Sequence, residues 1–111
     1  MQFNENDKSY LWDMLDASKD VLEFIKNMSY IDFENLKIVR FAVERQLLVV
    51  GEAAKHISEE TKSKLPSIPW KAIIGLRNII AHDYGEILTT NIWKVASLNI
   101  KELVLVLEEI V

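Results

Sequence analysis

At 111 residues, half of them apolar and 27% charged, the chain has the size and composition of one folded domain (1–111) and not of a disordered segment. The absence of cysteine excludes disulfides, thiolate metal sites and cysteine nucleophiles, and a net charge of −4 argues against a general affinity for nucleic acid. Three glycines and two prolines leave little room for loops, so an all-α fold is expected. No apolar run approaches the ~20 residues of a membrane span, and the opening MQFNENDKSY is polar. A cytoplasmic protein without a membrane partner is the expectation.

The first helix is predicted from about Asp7 to Met28, with Leu11, Leu15, Ser18, Leu22 and Ile25 recurring at steps of three and four. Its acidic outer face needs no function. Asp32 is the expected N-cap of a long second helix over Phe33–Ser58. There Leu36, Arg40, Val43, Leu47, Val50, Ala54 and Ile57 form one stripe, and Val39, Ala42, Gln46, Val49 and Ala53 a second. So wide an apolar arc can serve both a core and a subunit interface. Gly51 lies within it, where a missing side chain lets another backbone come close.

SEETKSKLPSIPW is the expected loop, with Pro69 in the first turn of a third helix that stops near Gly85. The last helix is predicted over Thr90–Ile110, with Ile92, Val95, Leu98, Leu103, Val106 and Ile110 as its core candidates. Helices joined by short connections imply an antiparallel bundle of four to five helices.

The unusual stretch is GLRNIIAHDYGEI, which sets Arg77, His82 and Tyr84 into an apolar run. Residues 61–84 hold Lys62, Lys64, Lys71 and Arg77 against Asp83 alone, so any polyanion would be recognised locally. At about 100° per residue, Ala72, Ile73, Leu76, Ile79 and Ile80 fall on the expected buried arc. Lys71, Asn78 and His82 form a polar stripe flanked by Arg77. An imidazole carries protons near neutrality, and a guanidinium holds phosphate through a planar fork. Together they suit metal-free RNA cleavage, in which a 2′-hydroxyl attacks the adjacent phosphorus. One histidine can hardly be both base and acid, and a symmetric dimer would bring two. Spacing alone fits a surface pair that caps a helix end more simply. Glu52, His56 and Glu60, and likewise His82, Asp83 and Glu86, have the donors for a divalent ion, but a solvated charge network accounts for the first set more simply. Trp70 is expected to anchor the core. Glu44 and Arg45 suit either the cleft or solvent.

PSIPWKAIIGLRNIIAHDYGEI, together with VVGEAAKHIS upstream, resembles the HEPN superfamily (higher eukaryotes and prokaryotes nucleotide-binding). The similarity is greatest to HepT-type toxins encoded beside a minimal nucleotidyltransferase antitoxin. The family pattern of Arg, a polar residue, His, any residue and Tyr is met at Arg77, Asn78, His82 and Tyr84. The resemblance implies a homodimeric helical bundle with both motifs in one cleft, and an endoribonuclease that uses no metal or other cofactor. It implies catalysis by Arg77 and His82 and support from Asn78, while the local positive balance makes Lys71 and Lys64 the candidate RNA contacts. It also implies a type VII-like toxin–antitoxin system, in which the partner nucleotidyltransferase silences the toxin by transferring AMP to Tyr84. An inactive HEPN module that binds nucleotide or a partner, and a purely structural bundle, are the competing readings.

Overall fold

A computed structural model describes residues 2–82 and 89–111. Asp83, Tyr84, Gly85 and Glu86 lie outside the described residues, and with them the expected helix terminator and the tyrosine expected to accept AMP. Helix α1 spans Glu5–Phe24, α2 Tyr30–Asn35, α3 Lys37–His56, α4 Glu59–Lys64 and α5 Trp70–His82. Helices α6 (Thr89–Lys94) and α7 (Ile100–Ile110) are joined by a π turn over Val95–Asn99 into one rod. There is no strand among the described residues, and the fold is the expected all-α bundle.

Each boundary has a local cause. The Asn4 side chain caps α1 by accepting from Asp7 N. Beyond α1, Asn27 takes a left-handed φ of 62°, a conformation asparagine tolerates, and this turns the chain. Asp32 is not the N-cap that was expected. Ser29 holds that position and Asp32, three residues on, completes a reciprocal capping box. The long second helix is also two helices, because the backbone leaves helical geometry at Leu36 (φ −110°, ψ 83°). Arg40 bridges the break by donating to the Glu34 carbonyl. Leu36, expected in the core, is 44% exposed as a result. The expected loop after α3 contains the short α4, capped by Ser58. The Pro69 carbonyl accepts the first bond of α5 from Ile73 N at 3.0 Å, so proline precedes the helix instead of lying in its first turn. Trp70 packs partly buried on the core and donates to the Leu65 carbonyl at 3.1 Å.

The core is one cluster built from Leu11, Met14, Val21, Phe33, Val43, Leu47, Val50, Ile92 and Leu107, with neighbours of similar burial. Helix α1 packs on both α3 and α7, and α3 carries α5 on another flank. The result is a slab of 43 × 29 × 19 Å with α5 at its edge, covered by α3. That position corrects the expected buried arc of α5. Ile80 is buried and Ile73 and Leu76 half-buried, but Ala72 is exposed and Ile79 is 45% exposed. Leu98 is a second correction, at 50% exposed. It lies in the π turn, whose wider winding keeps Ile92, Ala96, Ile100 and Leu107 on the buried side and turns Leu98 out.

Candidate active site

The site begins with a glycine. A methyl at Gly51 of α3 would collide with the Arg77 Cβ and lie 2.8 Å from its Cγ and 3.3 Å from the Ile73 carbonyl oxygen. The missing side chain lets α5 lie close enough for Arg77 to run across α3 instead of into solvent. Its side chain is 21% exposed. Arg77 Nη2 meets Glu52 Oε2 at 2.8 Å, and Nη1 donates to Asn78 Oδ1 at 3.0 Å. The cation is held from two sides, in one orientation.

Glu52 has a second partner. His56, one turn further along α3, brings Nε2 to 3.3 Å from Glu52 Oε1. The His56 ring stacks on Tyr10 of α1, with centroids 5.4 Å apart and planes at 23°. Partial desolvation pushes the Glu52 carboxyl up, but the charge of Arg77, the His56 contact and the nearby Lys55 outweigh it and hold the group below the usual glutamate range. The carboxylate is therefore charged and links a permanent cation to an imidazole.

These groups line an open groove of about 400 Å³ between α1, α3 and α5. Asp13 and Tyr10 stand on one wall, Arg45, Glu52 and His56 along α3, and Arg77 on the far wall. Two guanidiniums face two carboxylates beside one imidazole. Such a groove can take a phosphodiester on its arginines, with the flanking ribose or base near the aromatic pair.

The motif residues are distributed around this groove. Arg77 is inside it and Asn78, exposed, braces it. His82 is exposed at the last position of α5 and does not line the groove. Within one chain Arg77 is bonded to Glu52 and Asn78, not to His82. Lys71 is exposed on the first turn of α5. Lys64 is engaged elsewhere, 3.5 Å from Glu60 and over the Phe3 ring. With Glu60 on Lys64, the trio Glu52, His56 and Glu60 does not converge, and among the described residues no group of three acidic or imidazole side chains is placed to hold a metal.

Sequence reasoning left Glu52 and His56 to a solvated network and Arg45 undecided between cleft and solvent. The signal that could have found Glu52 is its place next to Gly51. A residue beside the point of closest helix approach must meet whatever the neighbouring helix carries. Glu44, next to Arg45, does not line the groove. It is half-buried, and burial pushes its carboxyl up against an opposing pull from Arg40.

Comparison with known proteins adds a family. The family model described as "Ribonuclease HepT-like" matches residues 14–110. The chain is 38% identical over 96 residues to "Putative RNase MJ1380" of Methanocaldococcus jannaschii, covering 86% of this chain and 88% of that one. It is 36% identical over 104 residues to "Putative RNase MJ1216" of the same organism, covering 94% and 86%. To "Probable ribonuclease HepT" of Thermococcus cleftensis it is 33% identical over 96 residues, covering 86% and 87%. No solved structure matches.

Proposed function

The chain belongs to the HepT-like ribonuclease family, and from that premise we propose that it is a metal-independent endoribonuclease acting in the groove between α3 and α5. The observation that carries the reading is the seating of Arg77: spaced by Gly51, gripped by Glu52 and Asn78, and opened to a groove of phosphodiester size. A guanidinium fixed before substrate arrives needs no reorganisation to meet the charge that develops on a phosphorane.

In this mechanism Arg77 binds the non-bridging oxygens and stabilises the dianionic phosphorane. The 2′-oxygen attacks phosphorus as the bond to the 5′-oxygen breaks, leaving a 2′,3′-cyclic phosphate and a 5′-hydroxyl. His82 moves protons and Asn78 holds the arginine. Lys71 and Lys64 steer the RNA strand. A homodimer closes the groove and brings a second His82. The exposed apolar residues Ile38 and Phe41 precede Arg45 on α3 at steps of three and four, which supports an interface continuous with the groove. Tyr84 is the position at which a partner nucleotidyltransferase adds AMP, placing a phosphate seven residues beyond Arg77 to compete with RNA. This makes the chain the toxin of a toxin–antitoxin pair.

Incubation of the purified protein with RNA in EDTA tests the reading. Cleavage with cyclic-phosphate ends is expected, reduced ~100-fold or more by Arg77→Ala and by His82→Ala. Loss of cleavage on chelation, or undiminished cutting by His82→Ala, overturns it. Mass spectrometry after co-expression with the nucleotidyltransferase should find AMP on Tyr84. One observation favours a second reading, a nucleotide- or partner-binding module: Arg77 is already occupied by Glu52. RNA bound but never cut would establish that alternative.

A further inference from the structure

RNA transesterification needs a group that takes a proton and another that gives one, and the groove of a single chain holds an imidazole other than His82. We propose that His56, oriented by Glu52, is a second proton-transfer residue of the groove, taking the proton of the attacking 2′-hydroxyl. The proposal rests on the ribonuclease reading and adds a catalytic residue to it.

Two contacts hold this side chain, and a third ties its carboxylate partner to Arg77. Glu52 Oε1 lies 3.3 Å from Nε2, and a carboxylate accepting from that nitrogen fixes the tautomer in which Nδ1 carries the free lone pair. Tyr10 covers one ring face, which restricts rotation. The Glu52 carboxylate spends its other oxygen on Arg77 at 2.8 Å. Guanidinium and imidazole are therefore two contacts and one carboxylate apart, a span that one phosphate and its ribose can bridge. The side chain is 51% exposed, open to a substrate entering the groove. A carboxylate that only neutralised Arg77 would need no imidazole on its other oxygen, and a histidine that only packed would not face the groove of the phosphate-binding cation.

The charged and titratable groups around His56 are consistent with a base. From α1 they are Tyr10 and Asp13 on the groove side and Glu5 and Asp7 on the other. From α3 they are Arg45 and Glu52, and from α5 Arg77. In the step proposed, Nδ1 takes the 2′-hydroxyl proton as the bond from the 2′-oxygen to phosphorus forms. The bond from phosphorus to the 5′-oxygen breaks, and a protonated His82, brought to the closed groove by the proposed dimer, supplies that oxygen with its proton. His56 then loses its proton to water and His82 regains one, so the cycle closes without metal or co-reactant.

The test is the pH dependence of kcat/KM on an RNA oligonucleotide in EDTA for the wild type, His56→Ala, His56→Gln and His82→Ala. The wild-type rate should rise and then fall with pH, as a base and an acid acting together require. Both His56 variants should lose ~10²- to 10⁴-fold and the rising limb, and added imidazole should restore part of the rate in His56→Ala. His56→Gln keeps a donor for Glu52 but no proton shuttle, so equal loss in the two variants separates chemistry from packing. Circular dichroism melting would confirm that both fold. A His56→Gln enzyme with near wild-type rate, or variants that slow but keep the rising limb, would overturn the proposal while the ribonuclease reading stood. A wild type that cuts no RNA would remove both.

Discussion

Asp7 is buried and yet charged, because four donors reach its two carboxylate oxygens. Ser58 Oγ lies at 2.6 Å, Thr61 Oγ1 at 2.5 Å, and Ser58 N and Asn4 Nδ2 at 3.1 Å. Burial pushes its carboxyl up, but the bonds from Ser58, Thr61 and Asn4 outweigh that and hold it below the ordinary aspartate value. A depressed folded-state pKa adds stability that is complete above the unfolded value of about 3.9 and is lost as pH falls through the folded one. Asp7→Ala should cost about 1–3 kcal/mol at neutral pH, and the difference from wild type should shrink in denaturation curves taken below about pH 4. The two glycines of known surroundings make a sharper pair. Gly51→Ala forces a methyl against Arg77 and should cost about 1–3 kcal/mol together with most of the RNA cleavage. Gly75→Ala meets nothing within 4 Å and should leave activity intact while gaining up to ~1 kcal/mol in helix propensity. Equal melting temperatures for the two would contradict the close approach. The close approach at Gly51 was legible in the sequence, because a lone glycine in a strongly apolar helix has few other uses. Asp7 was not legible, because Ser58 and Thr61 lie more than 50 residues away and no local pattern records them.

The main helices could be read from their three-four periodicity, since that is the signal a half-buried helix must carry. What periodicity hid were two interruptions. At Leu36 the apolar rhythm runs on although the backbone does not, because the capping box at Ser29 and Asp32 starts a separate short helix. In the last rod the π turn carries a residue more than an α-helix would need, so Leu98 fits a helical stripe on paper and faces solvent in the structure. Deleting Leu98 should let the rod wind as a plain α-helix, with α6 and α7 still facing the core and a loss of no more than about 1 kcal/mol. Deleting the exposed Asp16 within α1, which has no surplus residue to give up, should instead rotate Ala17, Ser18 and Val21 relative to Leu11 and Met14 by about 100° and prevent folding. Urea denaturation of both variants checks this, and a Leu98 deletion as damaging as the other would count against it.

At the scale of the whole molecule, α5 has α3 as its cover, so a single chain leaves apolar side chains in water. Ile38 is 85% exposed, Phe41 55% and Ile79 45%. If the proposed dimer forms through this surface, Phe41→Asp should leave a monomer in sedimentation and abolish RNA cleavage in parallel, since the groove would lose its opposite wall. A wild-type protein that sediments as a monomer would refute this. The arc that feeds this surface was visible in the sequence as too much apolar width on one helix, whereas its geometry was not, because Ala72 and Ile79 read as core residues until α5 was placed at the edge of the slab. The pairing of Arg77 with Glu52 has one more consequence. A solitary anion approaching the arginine must displace a tethered competitor whose local concentration never falls, so free phosphate or chloride at ordinary levels gains little. In the proposed reaction a polymer that also grips Arg45 and Lys71 offsets that displacement with contacts a small ion cannot make. There the internal carboxylate would favour long strands over the small ions that surround them.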